Sequence, residues 1–441
     1  MATYTRIVYA GDFGPWVSKL VLDLPEAVTS VDVTPATFNV FCAQHKRHSG
    51  EPYLRLDKVS GQRLPSEGYP SVRAAYASDE HGARTYRSCH VTLELAEEGL
   101  NKTIEGGILD TCCLDNRYRV TQLVPLPGAD RPLVGLVFDE CAGEECPATV
   151  GWHAASGTYD GIDPSYGYFE PDFAALDAPG RGAKGQVVPS VLAGASVPLV
   201  LWLHGAGEGA GTVPGEPERS WLSNRVTSLS DPLVQSRLGG AAYVLCPQSP
   251  TFWMDNGVER LGHSNQSVYS AALKALVEEF VSAHPRVDPN RVIVGGLSNG
   301  GFMTCRLLAD YPHAFSCGVA CCAPWYVANE LPGEVERMAL TPLWFAHSKG
   351  DEYVTLEETA LPLVHELRAA GGEAHMTLFD HVEDLTGVHR GPDGGHYRPH
   401  NHRMWINVYH DACDTDLDGS KVLVEGRPVS MWEWAGLQRR R

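Results

Sequence analysis

The sequence has no long hydrophobic run. Its longest strongly apolar stretch, Val197-Pro-Leu-Val-Leu-Trp-Leu203, is far short of the roughly 20 residues a membrane helix needs, so no membrane association is expected. Positive charge is also scarce. Lys and Arg number 35 against 54 Asp and Glu, a net charge of −19, and a field of that sign repels phosphate backbones and anionic headgroups. Nucleic acid is therefore not an expected partner. Met1–Ala10 shows no basic region followed by an apolar stretch of signal-peptide length. Twelve cysteines in 441 residues, including the adjacent pairs Cys112-Cys113 and Cys321-Cys322, are too dilute for a disulfide scaffold. Reduced, mostly buried thiols and a cytoplasmic location are the expectation. No internal repeat of 20 to 50 residues is visible.

What is present is a sizeable apolar fraction, 43%, enough for two or three domains at about 150 residues each. Residues 1–125 hold short, partly alternating runs at Trp16–Leu24, Thr37–Phe41, Ser71–Tyr76 and His90–Leu95, separated by turn-rich pieces. That texture predicts a β-sandwich. Residues 125–195, rich in Gly, Pro and Asp, read as a connection with a few strands of its own. Beyond residue 195 come continuous apolar runs at Pro198–Leu203, Ala242–Cys246, Arg291–Val294 and Pro342–Ala346, each ending in Gly, His or Pro. Helical spacing lies between them, clearest over Ser267–Val281. Strands buried on both faces and alternating with helices predict a mostly parallel, doubly wound α/β sheet.

Gly296-Leu-Ser-Asn-Gly300 stands between the strand Val292–Val294 and the helix-like Phe302–Leu308. Small residues at both ends of G-x-S-x-G let a serine sit on a sharp strand-to-helix turn, so Ser298 is the candidate nucleophile. Such a serine needs an imidazole base, and the imidazole needs a carboxylate to hold its tautomer. In chain order the carboxylate follows the serine. Asp351 lies just past the strand that begins at Pro342, with Glu352 beside it as the alternative. His389, His396, His400, His402 and His410 crowd one region, and spacing does not choose among them. No further ligand pattern supports a closed zinc site there. Acyl transfer also needs N–H donors for an oxyanion. Leu203-His-Gly-Ala-Gly-Glu-Gly209 supplies a loop able to aim one, and the N–H of Asn299 would be the other. The same loop meets the looser G-x-G-x-x-A form of a dinucleotide fingerprint but lacks its third Gly and the Lys of a P-loop. Asp414–Glu425 has the spacing of a calcium loop with Gly419 at its sixth position, yet Lys421 and Val422 fit that role poorly and a β-turn is the better reading. Trp253, Trp325 and Trp344 are candidates for a substrate-cleft wall or for the core.

Several marks in order resemble α/β-hydrolase esterases of the prolyl-oligopeptidase-like and polyhydroxybutyrate-depolymerase-like group, over residues 195–436. They are Trp202–Gly209, Cys246-Pro-Gln248 with Trp253, Asp288-Pro-Asn-Arg291, Gly296–Gly301, His347-Ser-Lys-Gly-Asp351 and His402-Arg-Met-Trp405. In that group the histidine often stands three residues before a Trp, which selects His402 and leaves His400 and His396 as alternates. The resemblance also implies Ser298 as nucleophile, Asp351 as its acid and Ala206 as an oxyanion donor. Asn299, where Met is more usual, and an insertion at 411–429 depart from the pattern. Some members carry an N-terminal immunoglobulin-like domain, which fits residues 1–125 and implies a role in assembly, including a homo-oligomer, or in shaping the site entrance. The expectation is thus a β-sandwich over 1–125 and an α/β-hydrolase domain over 126–441. It acts as a serine carboxylesterase on a small-molecule ester, with feruloyl or acetyl esters in view and no cofactor. Rivals are a peptidase of prolyl-oligopeptidase type and a non-catalytic binding protein on the same scaffold. Trp253 and Trp325 are assigned to substrate binding.

Overall fold

The computed structural model describes residues 2–106, 111–181, 187–188, 190–210, 213 and 215–441. The chain divides into two compact units.

The first unit comprises residues up to Val150 together with 213–225. Strands β1 (Thr3–Gly11), β2 (Gly14–Thr29), β3 (Phe38–Lys46), β4 (Val72–Ser78), β5 (Arg87–Leu95), β6 (Cys112–Gln122), β7 (Val137–Phe138) and β8 (Glu140–Glu145) build it. One sheet runs β8-β1-β2-β5-β4 and the other is centred on β7-β6-β3. Their inward residues, among them Leu20, Leu22, Val40, Val91, Leu93, Tyr118 and Val120, form one core, as two facing sheets with alternating burial must. The boundary expected at residue 125 is corrected. β7 pairs with β6 and β8 pairs in parallel with β1, so the backbone donors of 137–145 are satisfied inside this unit. Residues 213–225 also belong here. Arg219 is fully buried, and its guanidinium donates to the carbonyls of Thr111 and Val213 and pairs with Glu216. Glu216 in turn accepts the Cys113 N–H at 2.8 Å.

The second unit is an eight-stranded sheet. Its strands are β9 (Trp152–Ser156), β10 (Ser165–Phe169), β11 (Val197–Leu203), β12 (Tyr243–Pro247), β13 (Val287–Leu297), β14 (Cys317–Cys321), β15 (Leu343–Ser348) and β16 (Ala374–Phe379). The order is β9-β10-β12-β11-β13-β14-β15-β16. β9 and β10 pair antiparallel at one edge, and the other six strands are parallel. Every residue of β11 is buried, which explains its unbroken apolar run. Helix α1 (Ser270–Ala283) buries Leu273, Leu276 and Phe280 on one face, as the helical spacing requires. The helical spacing read over Ser267–Val281 begins too early, since Val268 lies before the helix and is exposed.

Helix α2 (Asn299–Asp310) starts directly beneath the ends of β11 and β13. A Cβ on Gly300 would stand 1.9 Å from the carbonyl oxygen of Leu203, and one on Gly296 would stand 2.6 Å from that same oxygen and from the Gly300 carbonyl. Backbone cannot retreat as a flexible side chain can, so only hydrogen fits at both positions. Gly300→Ala is accordingly expected to destabilise the second unit by about 3 kcal/mol. Gly143→Ala, where a Cβ meets open space, should stay within about 0.5 kcal/mol. Equal denaturant midpoints for the two variants would contradict the packing argument.

At the other end of the sheet, His375 of β16 lies between Asp416 (2.9 Å) and Glu373 (3.9 Å), with Trp344 and Trp434 against its ring. Burial alone would lower its pKa, but the two carboxylates outweigh burial and push it up to about 8. Asp416 also accepts from Arg368 and from the Met376 N–H, and Asp414 pairs with Lys421. Two carboxylates of the calcium-like spacing, Asp414 and Asp416, are therefore turned toward protein cations, while Asp418 accepts from Ser420. A folded pKa above the unfolded 6.5 contributes stability that is complete below pH 6.5 and is lost as pH rises through about 8. Thermal unfolding should weaken across that window by up to about 2 kcal/mol, and His375→Gln should flatten the dependence. A wild-type stability that is level or rises there would disprove it.

Candidate active site

Ser298 joins β13 to α2 with φ 53° and ψ −117°, a conformation costing roughly 1–3 kcal/mol for a residue with a Cβ. Its N–H donates to the Cys321 carbonyl at the end of β14, 2.8 Å away, which pins the turn from below. The side chain is thereby lifted to the helix N-terminus, where the first-turn amides have no intrahelical acceptor and favour negative charge.

His402 Nε2 lies 2.9 Å from Ser298 Oγ. On its far side, Nδ1 lies 2.8 and 3.0 Å from the two oxygens of Asp351. A carboxylate can only accept, so Nδ1 carries the ring proton and Nε2 keeps a lone pair toward the serine hydroxyl. The Asp351 side chain is fully buried and that of His402 is 12% exposed. Burial raises the carboxyl pKa, but hydrogen bonds from His347 and His402 and from the Val354 N–H outweigh it. Asp351 is held well below the usual carboxylate range. The alternates lie elsewhere. His400 pairs with Glu352 at 3.1 Å and stacks on Tyr353, while His396 Nδ1 faces the Asp384 carbonyl at 3.2 Å. Glu352, the alternative acid, is engaged by His400 and not by His402.

The loop after β11 lies beside the serine, since a Cβ on Gly205 would come within 3.8 Å of Ser298 Cβ. Ala206 opens the short turn Ala206–Glu208, and Asn299 is the first residue of α2. Each therefore offers a backbone N–H at the start of a helical turn. The loop is anchored by three contacts. The Ser249 N–H donates to His204 Nε2 (2.9 Å), His204 Nδ1 then donates to the Gly205 carbonyl (2.6 Å), and Gln248 Nε2 donates to the Glu208 carbonyl (2.7 Å).

Assignment of Trp253 and Trp325 to substrate binding is corrected. Both rings belong to the hydrophobic core, at 1% and 0% exposure. The Trp253 indole N–H donates to the His204 carbonyl, and its backbone N–H donates to Asn299 Oδ1 at 2.6 Å. It thus ties together the two segments that offer the amides. Trp325 donates to Glu330 and packs under the Arg306 guanidinium. Trp344 is likewise buried, its indole on Thr377. Two residues near the relay had no role assigned from sequence. His347, fully buried, sits 3.4 Å from Asp351, and its place four residues before the acid was the available signal. Cys322 approaches from β14, with no signal beyond its vicinal cysteine. Among the described residues no helix is long and apolar enough to cross a membrane.

Residues 3–130 match a family model described as an esterase Ig-like N-terminal domain. Residues 252–330, which include Ser298, match one described as the prolyl oligopeptidase family. Among curated proteins, the chain is similar to a probable chloroplastic glutamyl endopeptidase of Arabidopsis thaliana, 30% identical over 138 residues, covering 28% of this chain and 12% of that protein. A protein of the same description from Oryza sativa subsp. japonica is 31% identical over 86 residues, covering 16% and 9%. The chain spans about a tenth of the length of these relatives. A crystal structure described as that of a thermostable esterase aligns over 99% of this chain and 100% of its own, with a TM-score of 0.70 at 21% identity, which shows a shared fold across both units. These matches show an α/β-hydrolase fold with an N-terminal domain similar to the immunoglobulin-like domain of esterases.

Proposed function

We propose that the chain is a serine carboxylesterase in which Ser298, His402 and Asp351 form a catalytic triad. The observation that carries this reading is the unbroken hydrogen-bonded relay from Asp351 through His402 to Ser298 Oγ. His402 Nε2 takes the hydroxyl proton as Oγ attacks the ester carbonyl, and Asp351 stabilises the imidazolium that forms. The tetrahedral oxyanion is met by the N–H groups of Ala206 and Asn299 and by the N-terminus of α2. His402 returns the proton to the leaving alkoxide. Water, deprotonated by the same nitrogen, then releases the acid and restores Ser298. No step requires a cofactor.

Ester rather than amide substrates are favoured by the N-terminal domain, which matches one described from esterases. A peptidase is the second reading, favoured by the prolyl oligopeptidase match and the endopeptidase relatives. Acyl specificity within the esters, feruloyl and acetyl groups included, is part of the proposal.

Hydrolysis of p-nitrophenyl acyl esters, methyl ferulate and peptide p-nitroanilides by the wild type and variants separates these readings. Ester turnover should exceed anilide turnover. Ser298→Ala and His402→Ala should each lose roughly 10⁴-fold or more, and Asp351→Asn about 10⁴-fold because the ring tautomer is no longer fixed. Undiminished turnover in Ser298→Ala would sink the triad. Faster cleavage of anilides than of esters would favour the peptidase.

A further inference from the structure

Close to the His402–Asp351 pair lies a thiol that ester hydrolysis does not use. Cys322 follows β14 with φ 48°, in the left-handed region that residues bearing a Cβ seldom enter. Its N–H donates to the Ala346 carbonyl on β15 at 2.9 Å, and its sulfur turns to within 3.4 Å of the His402 carbonyl. One donor atom each from Cys322, Asp351 and His402 lies within 4.8 Å of the other two. Cys322 is fully buried while His402 is partly exposed, so the imidazole is the open end of the group.

A thiolate, an imidazole and a carboxylate are a donor set that suits zinc-like ions, which bind three protein ligands at about 2.0–2.3 Å and leave a fourth position open. Softness of the sulfur selects thiophilic ions over magnesium or calcium. Such a shell holds its donors about 3.3–3.8 Å apart, so a cation would spread the Nδ1–carboxylate pair, now 2.8 Å apart, and draw the sulfur inward.

We propose that Cys322, Asp351 and His402 form an inhibitory site for a thiophilic divalent cation of the zinc and cadmium class. The cation bonds Sγ, a carboxylate oxygen and Nδ1, the ring nitrogen that faces Asp351. The thiol proton leaves to solvent, and the single proton of the neutral ring relocates from Nδ1 to Nε2. No electron changes hands. Nε2 then has no lone pair for the Ser298 hydroxyl, so the base is removed without any block of the serine itself. The inhibitory consequence rests on the proposed function, whereas the binding does not.

The test uses the full chain carrying Cys89→Ser and Cys141→Ser, which removes the two exposed thiols, with and without Cys322→Ser. Cadmium retained after desalting should be about one equivalent higher when Cys322 is present. Ester hydrolysis should be inhibited by cadmium or zinc and restored by EDTA. Cys322→Ser should keep its uninhibited rate and be about tenfold or more less sensitive. Equal cadmium content and equal sensitivity in the two proteins would overturn the site. Should Cys322→Ser fail to fold, the ultraviolet thiolate-to-cadmium absorption of the parent chain against His402→Ala makes the same comparison, and an unchanged band would overturn it. Fluorophosphonate labelling of Ser298 reads the proposed function separately. A chain that is not labelled and hydrolyses nothing, yet keeps the Cys322-dependent cadmium, would lose the esterase reading and retain the site.

Discussion

The carbonyl oxygen of Leu203 occupies the space that any side chain on residue 300 would need. That contact fixes how closely α2 approaches β11 and β13, and with it the turn that residue 298 must make. A later or shallower turn would carry the helix away from the sheet and uncover Phe302, Met303, Leu307 and Leu308, all fully buried. Burying a side chain of this kind stabilises by about 1.5–3 kcal/mol, so even two of them outweigh the strain of roughly 1–3 kcal/mol at Ser298. The lifted Oγ of half-buried Ser298 and the first-turn amides without an intrahelical acceptor are thus consequences of packing, and the proposed chemistry rests on them.

The rest of the relay is assembled by strand order. β13, β14 and β15 are neighbours in the sheet, so Ser298, Cys322 and Asp351 leave adjacent strands at the same end, where a parallel α/β sheet places its functional groups. His402 arrives from the loop after β16. That loop is seated against the one bearing Asp351. Asn401 fills the space beside Gly350, where a Cβ would come within 2.7 Å of its Nδ2, and its Oδ1 accepts the Val382 N–H. Residue 401 therefore sets the position of residue 402. Ser298 and Asp351 were legible in the sequence because each follows a short apolar strand. The histidine was not, because five imidazoles within 22 residues differ only in how their loop folds back, and a family resemblance had to choose His402 where local pattern could not.

Similar reasons explain what was legible elsewhere. Buried parallel strands such as β11 and β15 announce themselves as unbroken apolar runs. β6 does not. Its burial alternates cleanly from Leu114 to Val120, but one inward position is Asn116, hydrogen-bonded to Gln44 and to the carbonyls of Asn101 and Lys102, and its outward positions are charged. The polar inward residue hides the period of two. β1 is broken by a bulge between Ile7 and Val8, which shifts the alternation halfway along. Residues 213–225 join the first unit through a buried Arg219 held by carbonyls and one carboxylate. An arginine in a Gly- and Pro-rich stretch reads as solvated, and only the complete set of acceptors around it makes burial tolerable.

The aromatic residues show the limit of reading chemistry from residue type. Trp253 was a candidate for contact with substrate, yet its indole and backbone N–H groups are both spent on His204 and Asn299. In the proposed reaction its influence passes through the placement of the Ala206 and Asn299 amides. The reverse holds at His402, where one ring has to serve two faces. In the proposed triad Asp351 sharpens Nε2 as a base by fixing the proton on Nδ1, a role supported by its burial, its ionised state and the donors around it. Those properties also make the Nδ1 side the natural place for a cation once a thiol stands within reach. A better-held carboxylate improves the base and the ligand set together, so with Cys322 beside it, control by a thiophilic ion comes with the geometry that orients the imidazole.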